Sequence, residues 1–358
     1  MPWLTTRLAA DMRSVRITLL ATLSVSFGAA GCAAPQTAPS PDAHPGPPSY
    51  ADAVARIGAQ QRQDDSVAVP NGRSILLTRG APAPRVYVLL HGFTDAPTQF
   101  APVGAHLFTD GANVYIPRLP HHAERISPLR AISRVRSDEL ARFADSTVEI
   151  ARGLGDTIVV VGLSAGGVLA GWIAEFHPEV QRAVLIAPAI APGGVADDDA
   201  AGLVILVSKL PDIERGAAPI DTSRPENVPG ITTRGLAELL RLGRRVHDQA
   251  ESGPPAVRDI VFLLNERDRT VSENASLDLA QRWMDRGAGV RTFRFTASTN
   301  LPHNVMELTA HGGNTNLVYP IVEALARGQS VAQQDTVRLL GVPCAGFRCR
   351  LRRLAGAP

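Results

Sequence analysis

The chain has 358 residues, 45% of them hydrophobic, which is enough for one large domain or two modest ones. Its 36 basic and 34 acidic residues leave a formal net charge of +2. A charge so nearly balanced gives no electrostatic reason to expect a nucleic acid as a partner.

Residues 1–32 have the features of an export signal. Two arginines precede an uncharged run at residues 17–30, and Cys32 follows a series of small residues. The run is shorter than the roughly 20 residues of a membrane-spanning helix, and its flanks are typical of secretory signals. A cysteine after small residues resembles the lipobox of bacterial lipoproteins, which implies an exported cell-envelope protein with a lipid membrane anchor at Cys32. An ordinary signal cleaved near Ala34 is the alternative.

Residues 33–50 contain six prolines and almost nothing apolar enough to bury. This composition is typical of an extended, disordered tether. Such a tether suits a globular domain, predicted here at residues 51–330, that stands away from a membrane anchor.

Short apolar runs alternate with helical patterns from residue 74 onward. Runs rich in Val, Ile and Leu indicate strands buried on both faces of a mostly parallel sheet. They cover residues 74–78, 85–90, 113–116, 157–163, 182–187, 259–264 and 290–295. Residues 140–154 have helical spacing, and Gly155 is predicted to end that helix. Strand–helix alternation over this length predicts a doubly wound α/β domain flanked by helices.

Residues 191–255 are far longer than an ordinary connection between two elements. They include a helical pattern at residues 236–246 and an apolar run, Leu203–Val207. We interpret this insert as a cap over the carboxyl-terminal edge of the sheet. A peripheral helical excursion with no role at the site is the alternative.

The strongest chemical signal is the pentapeptide at residues 162–166, Gly-Leu-Ser-Ala-Gly, between a predicted strand and a predicted helix. Small residues at Gly162 and Gly166 allow a sharp turn, a nucleophile elbow, that holds Ser164 above the strand end. The hydroxyl is then exposed at a helix N-terminus, where the helix dipole favours developing negative charge. Ser164 is therefore the predicted nucleophile, against the alternative of an incidental serine in a tight turn.

Acyl transfer also needs two backbone donors for the oxyanion. One is expected from the residue after the nucleophile, the Ala165 N–H. The other is expected from the loop after strand 85–90, at the Phe93 N–H, because Gly92 lets the backbone approach the substrate. His91 is predicted to support this loop by hydrogen bonding and not to act as the base.

Three segments together resemble the α/β-hydrolase superfamily, closest to its carboxylesterase and monoacylglycerol-lipase-like serine hydrolases. They are HGFTDAP at 91–97, VYIPRLP at 114–120 and GLSAGG at 162–167. The resemblance covers roughly residues 74–327. It implies an α/β-hydrolase fold with catalytic residues in the order serine, acid, histidine, and with a cap inserted after the family's sixth strand. The insert at 191–255 falls at that place.

The acid is expected just past the strand that follows the cap. Asp268 is the predicted residue, with Glu266 as the alternative. Family members usually have a glycine three residues before the aspartate, and this chain has Asn265. Since asparagine also tolerates a positive φ, this departure does little to weaken the choice of Asp268.

The base is expected in the loop after the next strand. His303 is the predicted base, although Leu301 stands where the family often has a serine, and His311 is the alternative. His121 and His122 are adjacent, but no third ligand stands at a useful spacing, so we expect them to support the loop and not to bind metal.

The predicted tail at residues 331–358 holds the other two cysteines of the chain, Cys344 and Cys349. Two cysteines cannot complete a structural zinc site, so in an exported protein we expect a small disulfide loop. Neither is a candidate for catalysis.

The sequence thus predicts a carboxylesterase that cleaves small-molecule esters through an acyl-enzyme, using Ser164, His303 and Asp268, without metal or cofactor. Short to medium acyl chains or monoacylglycerol-like esters are the expected substrates, with Leu203–Val207 in the acyl pocket. A cell-envelope acyltransferase or a thioesterase with the same triad is the alternative among enzymes. A non-catalytic binding protein on the same fold is the alternative outside them.

Overall fold

The computed structural model of the protein describes residues 46–194, 212–215, 224–307, 312–331 and 336–340. Several predicted features lie outside these residues: the export signal with Cys32, most of the tether, the run Leu203–Val207, His311, and the pair Cys344 and Cys349. The interpretations given for them, including export and lipid anchoring, therefore stay predictions.

The apolar runs form strands close to their predicted bounds. In chain order the described strands are β1 (Ile75–Leu77), β2 (Ala83–Leu90), β3 (Asn113–Ile116), β4 (Gly155–Leu163), β5 (Val180–Ile186), β6 (Glu214–Arg215), β7 (Ile231–Thr232), β8 (Asp259–Asn265), β9 (Gly289–Phe295) and β10 (Val337–Leu340). All seven predicted strands are among them.

Eight of these strands form one sheet, in the order β1-β3-β2-β4-β5-β8-β9-β10. The six central strands, β3-β2-β4-β5-β8-β9 in spatial order, are all parallel to their neighbours in that series. The edge strands β1 and β10 are antiparallel to the strands beside them. Side chains of β2, β4, β5 and β8 are buried over most of their length, as strands covered on both faces require. The predicted mostly parallel sheet is confirmed.

The sheet extends past residue 330, the predicted end of the domain. β10 pairs with β9, with Val337 opposite Phe295 and Leu340 opposite Thr292. Of its four residues only Val337 is buried, because β10 is a short edge strand. It therefore has no continuous apolar run, and the periodicity did not reveal it.

Helices flank the sheet. The described ones are α1 (Tyr50–Val67), α2 (Ala101–Thr109), α3 (Pro128–Ile132), α4 (Ser137–Arg152), α5 (Ala165–Phe176), α6 (Thr233–Ser252), α7 (Glu273–Asp285) and α8 (Thr315–Arg327). Among the helices described here, none is long and apolar enough to cross a membrane.

The helix predicted at residues 140–154 is α4, but Gly155 does not end it. The helix stops at Arg152 with Gly153 as its cap, and Gly155 is the first residue of β4. Gly155 is needed there because a Cβ at this position would collide with the carbonyl oxygen of Ala83 on the adjacent strand. The glycine thus allows close strand pairing.

The long insert follows β5, which is the fifth strand in this chain's own numbering. Its described part comprises β6, β7 and α6, and β6 and β7 form a small antiparallel pair. α6 packs against α4 and α5, and the Val246 side chain lies 3.3 Å from where a Cβ on Gly171 of α5 would stand. The predicted helix at residues 236–246 is therefore confirmed within a longer one.

Candidate active site

Ser164 occupies the sharp turn between β4 and α5. Its backbone has φ 54° and ψ −107°, a conformation that residues other than glycine rarely adopt. A Cβ at Gly162 would collide with the carbonyl oxygen of Gly166, and a Cβ at Gly166 would collide with that of Leu90. Both glycines are thus required by the turn, which presents the Ser164 hydroxyl at the N-terminus of α5.

Three side chains from separate loops form a continuous hydrogen-bonded chain. Ser164 Oγ lies 3.0 Å from His303 Nε2, and His303 Nδ1 lies 2.6 Å from Asp268 Oδ2. A carboxylate only accepts, so Nδ1 carries the proton and Nε2 offers its lone pair to the serine hydroxyl. The Asp268 side chain is 3% exposed and that of His303 is 19% exposed. The carboxylate is therefore shielded from water while the imidazole remains accessible.

Backbone donors hold Asp268 in place. Its Oδ1 accepts from the N–H groups of Thr270 at 2.8 Å and Val271 at 3.3 Å, which leaves Oδ2 for the imidazole. Glu266, the alternative acid, instead accepts from the Ala297 N–H at 2.7 Å. The structure brings Asp268 to His303, and it does not bring Glu266 there.

Asn265 has a different role from the one its backbone tolerance suggested. It is the last residue of β8 and has no positive φ, so its tolerance of that conformation is not used. Its side-chain amide donates to the carbonyl oxygens of Leu301 and Pro302, both at 3.0 Å. These two residues directly precede His303, and Asn265 thereby fixes the base loop to the end of β8.

His91 supports the loop after β2 by hydrogen bonding, as predicted from the sequence. His91 Nε2 accepts from the Leu119 N–H at 3.1 Å, so Nδ1 is protonated and donates to the Gly92 carbonyl at 2.9 Å. Burial holds the pKa of His91 well below its usual range. The ring is therefore neutral and structural.

The two segments that carry the predicted oxyanion donors are hydrogen-bonded to each other. The Gly166 N–H donates to the His91 carbonyl at 3.1 Å, which links the first turn of α5 to the loop containing Phe93. Ala165 is the first residue of α5, and Phe93 lines the cavity in front of Ser164. Gly92 lines the same cavity, and a Cβ there would stand 3.1 Å from the Asp95 carboxylate.

A cavity of about 180 Å³ opens in front of Ser164 and His303. Its walls are mostly apolar, and the insert provides one side of it. The apolar lining comprises Phe93, Leu163, Ala189, Ala191, Pro192, Ile231, Leu236, Leu239, Leu240 and Val271. Since four of these residues lie on β7 and α6, the insert covers the site, and the alternative of a peripheral excursion is wrong.

The adjacent histidines His121 and His122 support the neighbouring loop. His122 Nδ1 donates to the Pro120 carbonyl at 2.8 Å, and burial lowers the pKa of His122 to about 4. Its ring meets the rings of His91 and Phe93 edge-on, at 5.3 Å between centroids. Within the described part of the chain, no group of acidic, histidine or cysteine side chains is arranged to hold a metal ion.

A family model supplies the decisive comparison. The model of the alpha/beta hydrolase family matches residues 87–311, well over half of the chain. The chain belongs to the alpha/beta hydrolase family. The match begins in β2 and includes the Ser164 turn, Asp268 and His303, so it covers every element that forms the site of this hydrolase.

The relatives of this alpha/beta hydrolase include lipases. It is 28% identical over 201 residues to a thermostable monoacylglycerol lipase of Bacillus sp. (strain H-257), a match that covers 49% of this chain and 74% of that protein. Two solved structures share its fold. A monoacylglycerol lipase of Paleococcus ferrophilus has a TM-score of 0.53 at 18% identity, over 71% of this chain and 98% of that one. A monoglyceride lipase of Saccharomyces cerevisiae has a TM-score of 0.54 at 15% identity, over 73% and 92%.

Sequence reasoning missed a buried polar cluster beside the site of this hydrolase. Asp95, Gln99 and Asn304 come together there, although Gln99 and Asn304 are more than 200 positions apart in the chain. The cluster had one visible signal: Asn304 directly follows the predicted base. No pattern in the sequence links it to Gln99.

Proposed function

We propose that this alpha/beta hydrolase is a serine carboxylesterase, with Ser164 as nucleophile, His303 as general base and Asp268 as the acid that orients it. The observation that carries the proposal is the hydrogen-bonded chain from Ser164 Oγ through the imidazole to Asp268. Its two distances, 3.0 Å and 2.6 Å, are those of a nucleophile in contact with its base and of a base in contact with its orienting group.

In the acylation step, His303 Nε2 takes the proton of Ser164 Oγ as that oxygen attacks the ester carbonyl carbon. Negative charge develops on the carbonyl oxygen, and the amides of Phe93 and Ala165 are the proposed donors that stabilise it. Asp268 stabilises the imidazolium that forms. When the carbon–oxygen bond to the alcohol breaks, His303 returns its proton to the departing alkoxide and an acyl-enzyme remains.

In the deacylation step, water replaces the alcohol. His303 Nε2 takes a proton from the water as its oxygen attacks the acyl carbonyl, and the same two amides hold the second oxyanion. The bond between the acyl carbon and Ser164 Oγ then breaks. The proton passes from His303 to the serine oxygen, which releases a carboxylic acid and restores the enzyme.

The proposed substrates are esters with a short to medium acyl chain, including monoacylglycerol-like esters. The apolar walls contributed by β7 and α6 support this, since they desolvate methylene groups at about 0.8 kcal/mol each. The cavity of about 180 Å³ bounds the chain length that such walls can enclose. The Bacillus relative is named as a monoacylglycerol lipase, which supports the same class for this chain.

A Ser164→Ala variant tests the proposal. We expect the wild-type protein to hydrolyse p-nitrophenyl esters and to react with a fluorophosphonate probe, and we expect the variant to do neither while keeping its circular dichroism spectrum. Gly162 and Gly166 stay unchanged, so the turn is retained and the loss reports on the hydroxyl alone. Substantial labelling of a folded Ser164→Ala protein would overturn the assignment, and an unreactive wild type would favour a binding protein. Matched thioesters and added alcohol acceptors would reveal a thioesterase or an acyltransferase.

A further inference from the structure

A chain of side-chain amides connects the loop that carries Phe93 with the loop that carries His303. The Gly92 N–H donates to Gln99 Oε1 at 2.8 Å, and Gln99 Nε2 donates to Asn304 Oδ1 at 2.9 Å. Gly92 directly precedes Phe93, and Asn304 directly follows His303. Two hydrogen bonds thus span the distance between the proposed oxyanion donor and the proposed base.

The direction of both amides is fixed by their partners. A backbone N–H can only donate, so Gln99 must turn its oxygen to Gly92 and its nitrogen to Asn304. Asn304 therefore accepts through Oδ1, and its Nδ2 is left to donate. That nitrogen lies 2.8 Å from Glu307 Oε2 and 3.3 Å from both oxygens of Asp95. No other orientation satisfies every group in the cluster.

Gln99 and Asp95 are buried, and Asn304 is partly buried at the wall of the cavity, which makes the hydrogen bonds of Gln99 and Asp95 costly to lose. Gln99 is 2% exposed and Asp95 is 4% exposed. Burial, reinforced by the negative charge of Glu307, raises the pKa of Asp95 to about 6, while Asn304 opposes that rise by donating to the carboxylate. Removing an amide from this cluster leaves a buried group without a partner, and the loops must shift to hydrate it.

The cluster also reaches the insert. Arg224 forms an ion pair with Glu307, and Thr98 donates to Glu226 at 3.1 Å. The Val228 N–H donates to the Thr94 carbonyl at 2.8 Å, next to Phe93. The residues that precede α6 are therefore tied to the same two loops.

We propose that Gln99 and Asn304 form a positioning bridge that holds the Phe93 amide and the His303 imidazole in register across the cavity. The inference rests on the proposed function, since it assigns the bridge to the same site. Neither side chain reacts. Each acts on the rate through the group beside it, because misplacing a catalytic group by about 1 Å can cost on the order of a hundredfold.

The bridge predicts a particular pattern of kinetics. Gln99→Ala and Asn304→Ala should each lower kcat for a p-nitrophenyl ester by roughly tenfold to a hundredfold and change KM little, because the apolar walls that bind the acyl chain are untouched. The double variant should lose far less than the product of the two single losses, since either change alone breaks the bridge. Gln99→Glu keeps the acceptor for Gly92 but cannot donate to Asn304. Its kcat should therefore be as low as that of the alanine variants.

The matched control is Gln61→Ala. Gln61 lies on α1 and also uses both ends of its amide, donating to the Ser74 carbonyl at 2.9 Å and accepting from Arg73 at 3.3 Å. It is not among the residues that line the cavity. Its loss should lower the melting temperature without lowering the kcat of the folded enzyme, which separates a stability effect from a positioning effect.

The pH profile gives a second readout that a purely structural role would not alter. Without the Asn304 amide, the pKa of Asp95 should rise further. Because Asp95 interacts electrostatically with His303, the acidic limb of kcat in Asn304→Ala should then move relative to that of wild type. Asp95 faces Glu307, Arg224 and His303 besides Asn304. An Asp95→Asn variant should lack that movement when combined with Asn304→Ala.

The outcomes distinguish the two proposals. If the wild type hydrolyses esters and is labelled at Ser164, yet Asn304→Ala keeps wild-type kcat and pH profile, the bridge is wrong and the proposed function stands. Strictly multiplicative losses in the double variant would also overturn the bridge. If the wild type shows no Ser164-dependent labelling, the proposed function itself is wrong.

Discussion

At the scale of single residues, the site depends on groups that fix the orientation of a neighbour. Asp268 receives two backbone N–H donors on one oxygen and faces His303 with the other. Asn265 holds the two residues before His303 through their carbonyl groups. The imidazole is therefore oriented from both the acid side and the backbone side, which limits the tautomer and the ring position it can adopt.

Exchanging the acid tests this arrangement. Asp268→Asn should lower kcat by about 10⁴-fold, because an amide supports the wrong tautomer and does not stabilise the imidazolium. Glu266→Gln is the matched control, since Glu266 lies two positions before Asp268 in the same turn region but bonds to Ala297. It should change kcat by less than a few-fold. Steady-state rates with one ester decide the question, and the reverse ranking would contradict the assignment.

At the scale of elements, the apolar side of α6 both lines the cavity and packs into the protein. Leu236, Leu239 and Leu240 line the cavity, whereas Leu242 is fully buried elsewhere on the same helix. The apolar residues of this amphipathic helix are divided between the protein interior and the cavity wall. The matched pair of leucines separates those two roles.

Leu239→Ala should shift the preferred acyl length upward. In the wild type, kcat/KM should rise by up to about fourfold for each added methylene, which corresponds to 0.8 kcal/mol, until the cavity is filled. The space released by Leu239→Ala should let that rise continue to longer p-nitrophenyl esters. Both leucine variants should destabilise the fold by about 2–5 kcal/mol. Leu242→Ala should leave the dependence of kcat/KM on acyl length unchanged. Identical profiles for all three proteins would mean that α6 does not select the chain.

Helix α1 supports the loop behind the site through a buried ion pair. Asp64 lies 2.8 Å from Arg118 Nε, and the two side chains are 1% and 9% exposed. The second oxygen of Asp64 accepts from the backbone and the hydroxyl of Ser74. Arg118 in turn donates to the His122 carbonyl. Helix α1 therefore stabilises the loop that contains His122.

Asp64→Asn should destabilise the protein by about 3–5 kcal/mol, because it leaves Arg118 buried without its counter-charge. Asp65→Asn is the control in the adjacent position. Asp65 is half exposed and lies 3.4 Å from Arg73, and its loss should cost about 1 kcal/mol or less. Urea unfolding of the two variants measures the difference. Equal midpoints would show that the pair contributes nothing.

At the scale of the whole molecule, Glu175 gives the fold an unusual pH dependence. This carboxyl is buried between α5 and α7, where it accepts a hydrogen bond from the Trp283 indole. Burial raises the pKa of Glu175 from 4.5 to about 7, more than the indole donor lowers it. In the window between those values, the native state keeps a proton that the unfolded state has lost, so this group's contribution to stability falls as pH rises.

Glu175→Gln should remove that loss. Its melting temperature relative to wild type should increase from pH 5 to pH 8, because only the wild type must bury a carboxylate at the higher pH. Glu149→Gln is the control, since Glu149 is exposed on α4 and its bond to Arg56 lowers its pKa, outside this window. Its effect should be the same at both pH values. If the melting temperature of Glu175→Gln minus that of wild type does not increase with pH, the prediction is contradicted.

The sequence by itself determined the layers of the fold and the candidates for chemistry. Continuous Val, Ile and Leu runs such as residues 158–161 can only be buried on both faces, so they marked the central strands. The glycines around Ser164 marked the sharp turn, since no other residue fits there. These features are local, because burial pattern and backbone sterics act within a few residues of one another.

Only the tertiary structure decided the contacts between distant segments. The choice of Asp268 over Glu266 depends on where β8 and β9 end relative to each other, and both residues have the chemistry of the acid. The edge strand β10 has too few buried side chains to show a pattern, and it exists because β9 offers unpaired backbone groups. The bridge between Gln99 and Asn304 is set by packing between two distant loops. Buried polar groups need hydrogen-bond partners, and no local sequence pattern indicates that these two residues are partners.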